Sequence, residues 1–233
     1  MASRPTGVNP KAIIMDIAKP YFQEGVFPFG ANNFLALAAI AADECPDAGF
    51  ALKASAAQIM AAIAAEAFID EFAFSLATLQ KSNKATELAR IGLVLQQLEL
   101  SRVQITEKFQ IASQLLPGEP LDPSNEPFQS FSQLIKLRNF LAHPKVLDKP
   151  PRWFAYFVSN NLILDPTYSG EGKAHWRYQI QCKSSARWAC RATANIILHM
   201  IESIKQPCTI HNVPGTYESL WSLWEWAATD SRF

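Results

Sequence analysis

Apolar stretches punctuated by single charges, with proline and glycine gathered between them, predict a mainly helical chain. Asn32–Ala42 reads as a helix that Cys45-Pro46 ends. Ala51–Ser82 is alanine-rich and free of Pro and Gly, the strongest helical segment of the chain. Ala85–Leu116 reads as a second long helix, kinked near Gly92, and the two together predict an antiparallel hairpin. Leu116–Pro127 holds four prolines and Gly118 and is a loop. Pro127 suits the first position of the next helix, Pro127–His143, which Pro144 stops. The pattern then changes. Trp153–Val158 and Leu162–Leu164 flank Ser159-Asn160-Asn161, and Ala174–Cys182 is aromatic and β-branched, so 152–182 reads as a small β-hairpin or three-stranded insertion. Ser184–Lys205 is helical again, capped by Ser184 or Ser185, and Tyr217–Ala228 is a short aromatic helix.

Residues 1–30 carry four prolines and read as a tail with one short helix, Pro10–Ala18; 31–205 form one helical domain, and 206–233 pack on it. At 233 residues and 49% apolar content, one large domain with a sizeable core is expected. Lys+Arg and Asp+Glu both number 21, which excludes a globally basic nucleic-acid or membrane binder and leaves room for a local patch. No uninterrupted apolar run reaches about 18 residues, so no membrane span is expected. The start lacks the basic-then-apolar order of a signal peptide, and the cysteines, Cys45, Cys182, Cys190 and Cys208, form no C-x-x-C pair. Free thiols in a cytoplasmic setting follow, with Cys182 and Cys190 as small buried hydrophobes. The four histidines lack metal-ligand spacing, and no Walker, G-x-G-x-x-G or G-x-S-x-G pattern occurs, so no metal or cofactor is expected.

Charge sits where burial is expected. With Arg138 at zero on a helical projection, Phe131 lies at about 20°, Ala142 at about 40°, Ile135 at about 60° and Leu134 at about −40°. Arg138 is thus in the middle of the apolar face, with Asn139 and His143 on a neighbouring stripe. The alanine-rich helix mirrors this: Glu66 and Asp70 share its apolar face with Ile59, Ile63 and Ala73, while Glu71 and Lys53 fall off it. A bidentate pair of Arg138 with Glu66 or Asp70 is the simplest resolution. Such a pair can also merely fix helix register, and His143 can be a helix-terminal cation facing the dipole.

Arg138-Asn139-Phe140-Leu141-Ala142-His143 resembles the Arg-Asn-x-x-x-His signature of the HEPN superfamily. The stretches Phe131–Lys145 and Ala64–Phe74 carry the resemblance, which covers mainly 31–143 and the helix Ser184–Lys205. It implies a HEPN-like antiparallel helical bundle that dimerises, bringing two Arg-His motifs together. Catalytic members are metal-independent endoribonucleases, often toxins or defence effectors; others have lost activity and bind nucleotide, RNA or a protein partner. On this reading His143 is acid or base, Arg138 holds the phosphate, Asn139 orients either, and Glu66 or Asp70 supports Arg138. RNA is then the substrate, and an antitoxin or other protein a partner.

Charge between 132 and 152 gives modest support: Lys136, Arg138, Lys145, Lys149 and Arg152 against Asp148 leave a net of +4. Lys136 and Lys145 are the nearest candidate RNA contacts, and Arg177, Lys183, Arg187 and Arg191 extend the surface, although solvated charge explains Lys149, Lys183 and Arg187 as well. The aromatic residues Trp221, Trp224 and Trp226 suit closure of a core or subunit interface better than base stacking, and Trp153, Tyr156, Trp176 and Tyr178 suit hairpin packing. Zero net charge weighs against an RNA enzyme. A small-molecule enzyme using Glu66 and Asp70 as acid and base is a third reading.

Overall fold

Ten alanines among the 27 residues of one helix set the architecture, because a side chain that ends at Cβ lets neighbouring backbones come close. The computed structural model describes residues 30–47, 49, 51–78, 86–143, 149–164 and 175–205. These form α1 (Gly30–Asp43), α2 (Leu52–Thr78), α3 (Thr86–Leu100), α4 (Ile105–Leu115), α5 (Phe128–Ala142), α6 (Phe154–Ser159), α7 (Trp176–Gln179) and α8 (Lys183–Lys205). The alanine-rich α2 is the central element and touches α1, α3, α4, α5 and α8. Ala54, Ala57, Ala61, Ala62, Ala64 and Ala65 are all fully buried. Three buried hydrogen bonds lock α8 and the turn before it to α2: Gln58 Nε2 donates to the Ile180 carbonyl (2.8 Å) and to Ser185 Oγ (2.7 Å), and Thr193 Oγ1 donates to the Ala61 carbonyl (2.8 Å).

The antiparallel hairpin of α2 and α3 is present. Gly92 sits where their backbones meet, and a Cβ there would come within 2.7 Å of the Ala73 carbonyl oxygen and 2.8 Å of the Leu76 carbonyl carbon. The expected kink at Gly92 is absent: α3 runs through it, and the break falls at 101–104. There Arg102 takes φ 54 and the Val103 N–H reaches back to the Leu98 carbonyl (3.1 Å), a Schellman closure with arginine where glycine is usual. The single helix expected over Ala85–Leu116 is therefore two, α3 and α4.

The β insertion is also corrected. Among the described residues of 152–182 there is no strand. Ser159-Asn160-Asn161 does turn, with Asn161 at φ 55, but its flank is the helix α6 and the aromatic stretch holds the short helix α7. Helix wins because it turns Trp153, Phe154, Tyr156 and Phe157 toward one aromatic cluster with Phe140, Trp176 and Trp188. Ser185 does not cap α8: the helix starts at Lys183, and Ser185 Oγ donates to the Ile180 carbonyl (2.6 Å). Helix α5 begins at Phe128, with Pro127 one position before it. The expected helices Pro10–Ala18 and Tyr217–Ala228 lie outside the described residues. No helix among the described residues is long and apolar enough to cross a membrane.

Gly92→Ala should destabilise the protein by about 1–3 kcal/mol in urea unfolding, because the added methyl meets backbone. A neutral or stabilising result, the ordinary outcome in an open helix, would contradict the close crossing.

Candidate functional site

Arg138 lies on the α2-facing side of α5 and pairs with Glu66 through Nη2. Its side chain is 23% exposed and that of Glu66 35%, so the pair sits at the rim of the core. Nη1 donates to Asn139 Oδ1 (3.1 Å), and Nε is buried with no hydrogen-bond partner among the described residues. Burial draws the guanidinium pKa below its ordinary value. Arginine is basic enough to stay charged at neutral pH nonetheless.

His143 ends the helix as the sequence predicts. It is the C-cap at φ −129 and ψ 70, its N–H donates to the Asn139 carbonyl (3.0 Å), and its side chain is exposed. Asn139 is therefore the hinge of the motif: its side chain accepts from Arg138 and its backbone from His143. Among the described residues no hydrogen bond joins the Arg138 and His143 side chains directly. Lys136 is exposed two residues before Arg138, about 200° around α5, and so points away from the pair. Lys145 lies outside the described residues.

Asp70 belongs elsewhere. Lys108, buried on α4, lies 3.6 Å from Asp70 and pairs with Glu99 of α3. Burial raises the Asp70 pKa and Lys108 lowers it. Thus α2 presents two carboxylates one turn apart, each meeting a cation from another helix: Glu66 with Arg138, Asp70 with Lys108. The two are not at the centre of the buried face of α2 but along its edge, because the alanine side packs deeper than the isoleucine side. Lys108 went unread in the sequence. The projection that singles out Arg138 finds it too, since Ile105, Lys108, Phe109 and Ala112 share one face of α4.

Glu71, placed off the apolar face, is the most perturbed carboxyl here. Its Oε1 accepts from the Gly30 N–H at the start of α1, and Oε2 is buried without a partner among the described residues. Burial pushes its pKa up to about 7, against the Gly30 and Ala31 N–H groups that hold it down. Sequence periodicity has no means of finding this contact, because it depends on where α1 begins. The cations proposed at the start of α8 are already matched: Lys183 Nζ lies 2.6 Å from Asp47, whose carboxyl it holds below its usual pKa, and Arg187 lies 3.6 Å from Asp43. Cys45, Cys182 and Cys190 are free and buried, and burial pushes the Cys190 thiol up to about 12, so it is packing rather than a nucleophile. Among the described residues no group of three His, Cys, Asp or Glu side chains is arranged to hold a metal ion.

Glu66→Gln should cost about 1–3 kcal/mol by chemical denaturation, since it leaves Arg138 half-buried and unpaired. Asp70→Asn should cost less, because Lys108 keeps Glu99; equal losses would contradict the separate pairing. For Glu71 the folded pKa lies above the ordinary 4.5, so its contribution is fully present below 4.5 and is lost as pH rises through about 7. Across that window the stability of the wild type should fall relative to Glu71→Gln; parallel pH profiles would show that Glu71 is not buried as described. No family model matches the chain, and no curated protein or solved structure matches it, so the chemistry of this site rests on its own residues.

Proposed function

We propose that the protein is a metal-independent endoribonuclease of HEPN type, acting as a homodimer in a toxin or defence setting. The observation that carries this reading is the construction of the motif. Arg138 is held from behind by Glu66 and tied through Asn139 to an exposed His143. A guanidinium fixed in this way presents a preformed cation to a phosphate, and an exposed imidazole can move a proton at neutral pH.

In the reaction, His143 of one subunit takes the proton of the ribose 2′-OH, and the 2′ oxygen attacks the adjacent phosphorus. Arg138 neutralises the charge that builds on the phosphorane oxygens. The bond from phosphorus to the 5′ oxygen breaks, and the partner's His143 supplies the proton to that leaving oxygen. The products are a 2′,3′-cyclic phosphate and a 5′-hydroxyl. The dimer is what the HEPN resemblance implies, and it would supply the second histidine as the acid.

A second reading, a non-catalytic HEPN-like module that binds nucleotide, RNA or a protein partner, draws on one observation: Glu66 already balances the charge of Arg138. Purified full-length protein incubated with total RNA in EDTA separates the two. The enzyme predicts cleavage with 2′,3′-cyclic phosphate ends, and about a 10²–10⁴-fold loss for His143→Ala with folding and dimerisation unchanged. No cleavage by a folded, dimeric wild type would leave the binding module.

A further inference from the structure

Asn139 and His143 sit where a helix is least stable. Asn139 belongs to the last turn of α5 and His143 is its C-cap, at the end where backbone carbonyls lose their intrahelical donors and local opening begins. Local sequence does little to hold this end. The last turn holds no basic residue to meet the helix dipole, and His143, at φ −129 and ψ 70, is not the left-handed cap that closes many helices. The turn is gripped instead at one position by tertiary contacts. Phe140 packs on Trp176 (ring centroids 5.0 Å apart) and on Trp153 (5.7 Å), and the Arg177 guanidinium lies over the Phe140 ring at 5.5 Å and over Trp176 at 5.6 Å. The grip is anchored in the core. Trp176 is buried; Trp153 meets Phe157 (5.7 Å), and Phe157, fully buried, meets Trp188 of α8 (4.9 Å).

Direction decides what this grip does. Phe140 lies about 200° around α5 from Arg138, and His143 follows Phe140 at the spacing of neighbours on one helix face. Glu66 therefore holds Arg138 from one side of α5, and the rings hold the turn that ends in His143 from the other. Asn139 and His143 stay exposed between the two. Arg177 also brings a positive charge to a last turn that has no basic residue of its own. We propose that Phe140 is a positioning residue: the clasp that Trp153, Trp176 and Arg177 form on it fixes the last turn of α5, and with it the placement of Asn139 and His143 relative to Arg138. Helices α6 and α7 thereby gain a part in the site, acting through α5 and not by touching a substrate. That the fixed turn serves catalysis rests on the ribonuclease reading; the clasp itself stands on the ring geometry.

The test follows amide hydrogen exchange by NMR in the full chain, with the wild type beside Phe140→Ala, Phe140→Leu and Phe140→Tyr. The His143 N–H, bonded to the Asn139 carbonyl (3.0 Å), reports the last turn, and the N–H groups of Leu134 and Ile135 report the body of the same helix. Losing the ring should speed exchange at His143 by about 2-fold to 10-fold in the leucine variant, and by more in the alanine variant, with Leu134 and Ile135 much less affected. Tyrosine keeps the ring and should restore protection. Leucine preserves most of the side-chain volume and carries the test where the alanine variant does not fold. Cleavage of a defined single-stranded RNA in EDTA is the second readout. There kcat should fall about 10-fold or more in the leucine variant and recover with tyrosine, while KM stays nearly unchanged because Glu66 still holds Arg138. Unchanged exchange at His143, or an equal rise at Leu134 and Ile135, overturns the clasp. Faster exchange at His143 with kcat unchanged overturns the positioning role. Faster exchange at His143 in a protein that never cleaves RNA keeps the clasp and removes the ribonuclease reading.

Discussion

The close packing of the alanine face of α2 is the constraint on which the remaining geometry depends. Ala54, Ala57, Ala61 and Ala65 have no atoms beyond Cβ, so α8 can come near enough for Thr193 to donate to the Ala61 carbonyl and Gln58 to reach Ser185. At Gly92 the same economy brings α3 onto α2 backbone to backbone. Contacts of this kind tolerate almost no added volume. They fix where each edge of α2 emerges, and thereby where Glu66 and Asp70 stand relative to the helices around them.

Those two carboxylates turn packing into chemistry. Each accepts a cation from a different helix, Arg138 from α5 and Lys108 from α4, at the rim of the core rather than inside it. The position matters. A fully buried pair would be closed to any ligand, and a fully exposed one would be screened and mobile. At the rim, Glu66 restrains the guanidinium of Arg138 while Asn139 and His143 stay exposed. The Lys108 site repeats the device with a second acid, Glu99, which suits it to holding α2, α3 and α4 together.

Helical character, the α2–α3 pairing, the end of α5 at His143 and the pairing of Arg138 with an acid of α2 were legible in the sequence, because each rests on residue spacing or on a charge at an apolar position; the choice of Glu66 over Asp70 was not. Three other features were not. The break at Arg102 carries no glycine or proline, and its closure depends on a left-handed arginine. The aromatic run around Trp153 has an alternation that suits a strand, yet tertiary contacts with Phe140 and Trp188 favour a helix. Glu71 gains its environment from the first turn of α1, more than 40 positions away along the chain. The centring of Glu66 and Asp70 failed for a related reason: a projection weighted by side-chain size undervalues alanine, which here marks the deepest contact.

A charge swap at the Glu66–Arg138 pair separates support from chemistry. Glu66→Arg combined with Arg138→Glu should fold, because the ion pair is retained with its ends exchanged; on the proposed ribonuclease reading the swapped protein should not cleave RNA, because the cation now leaves from α2 and no longer adjoins Asn139 and His143. The measurement is the cleavage rate of total RNA by the swapped protein beside the wild type, at matched thermal stability. Cleavage at the wild-type rate would contradict the account, since the pair would then serve the fold alone.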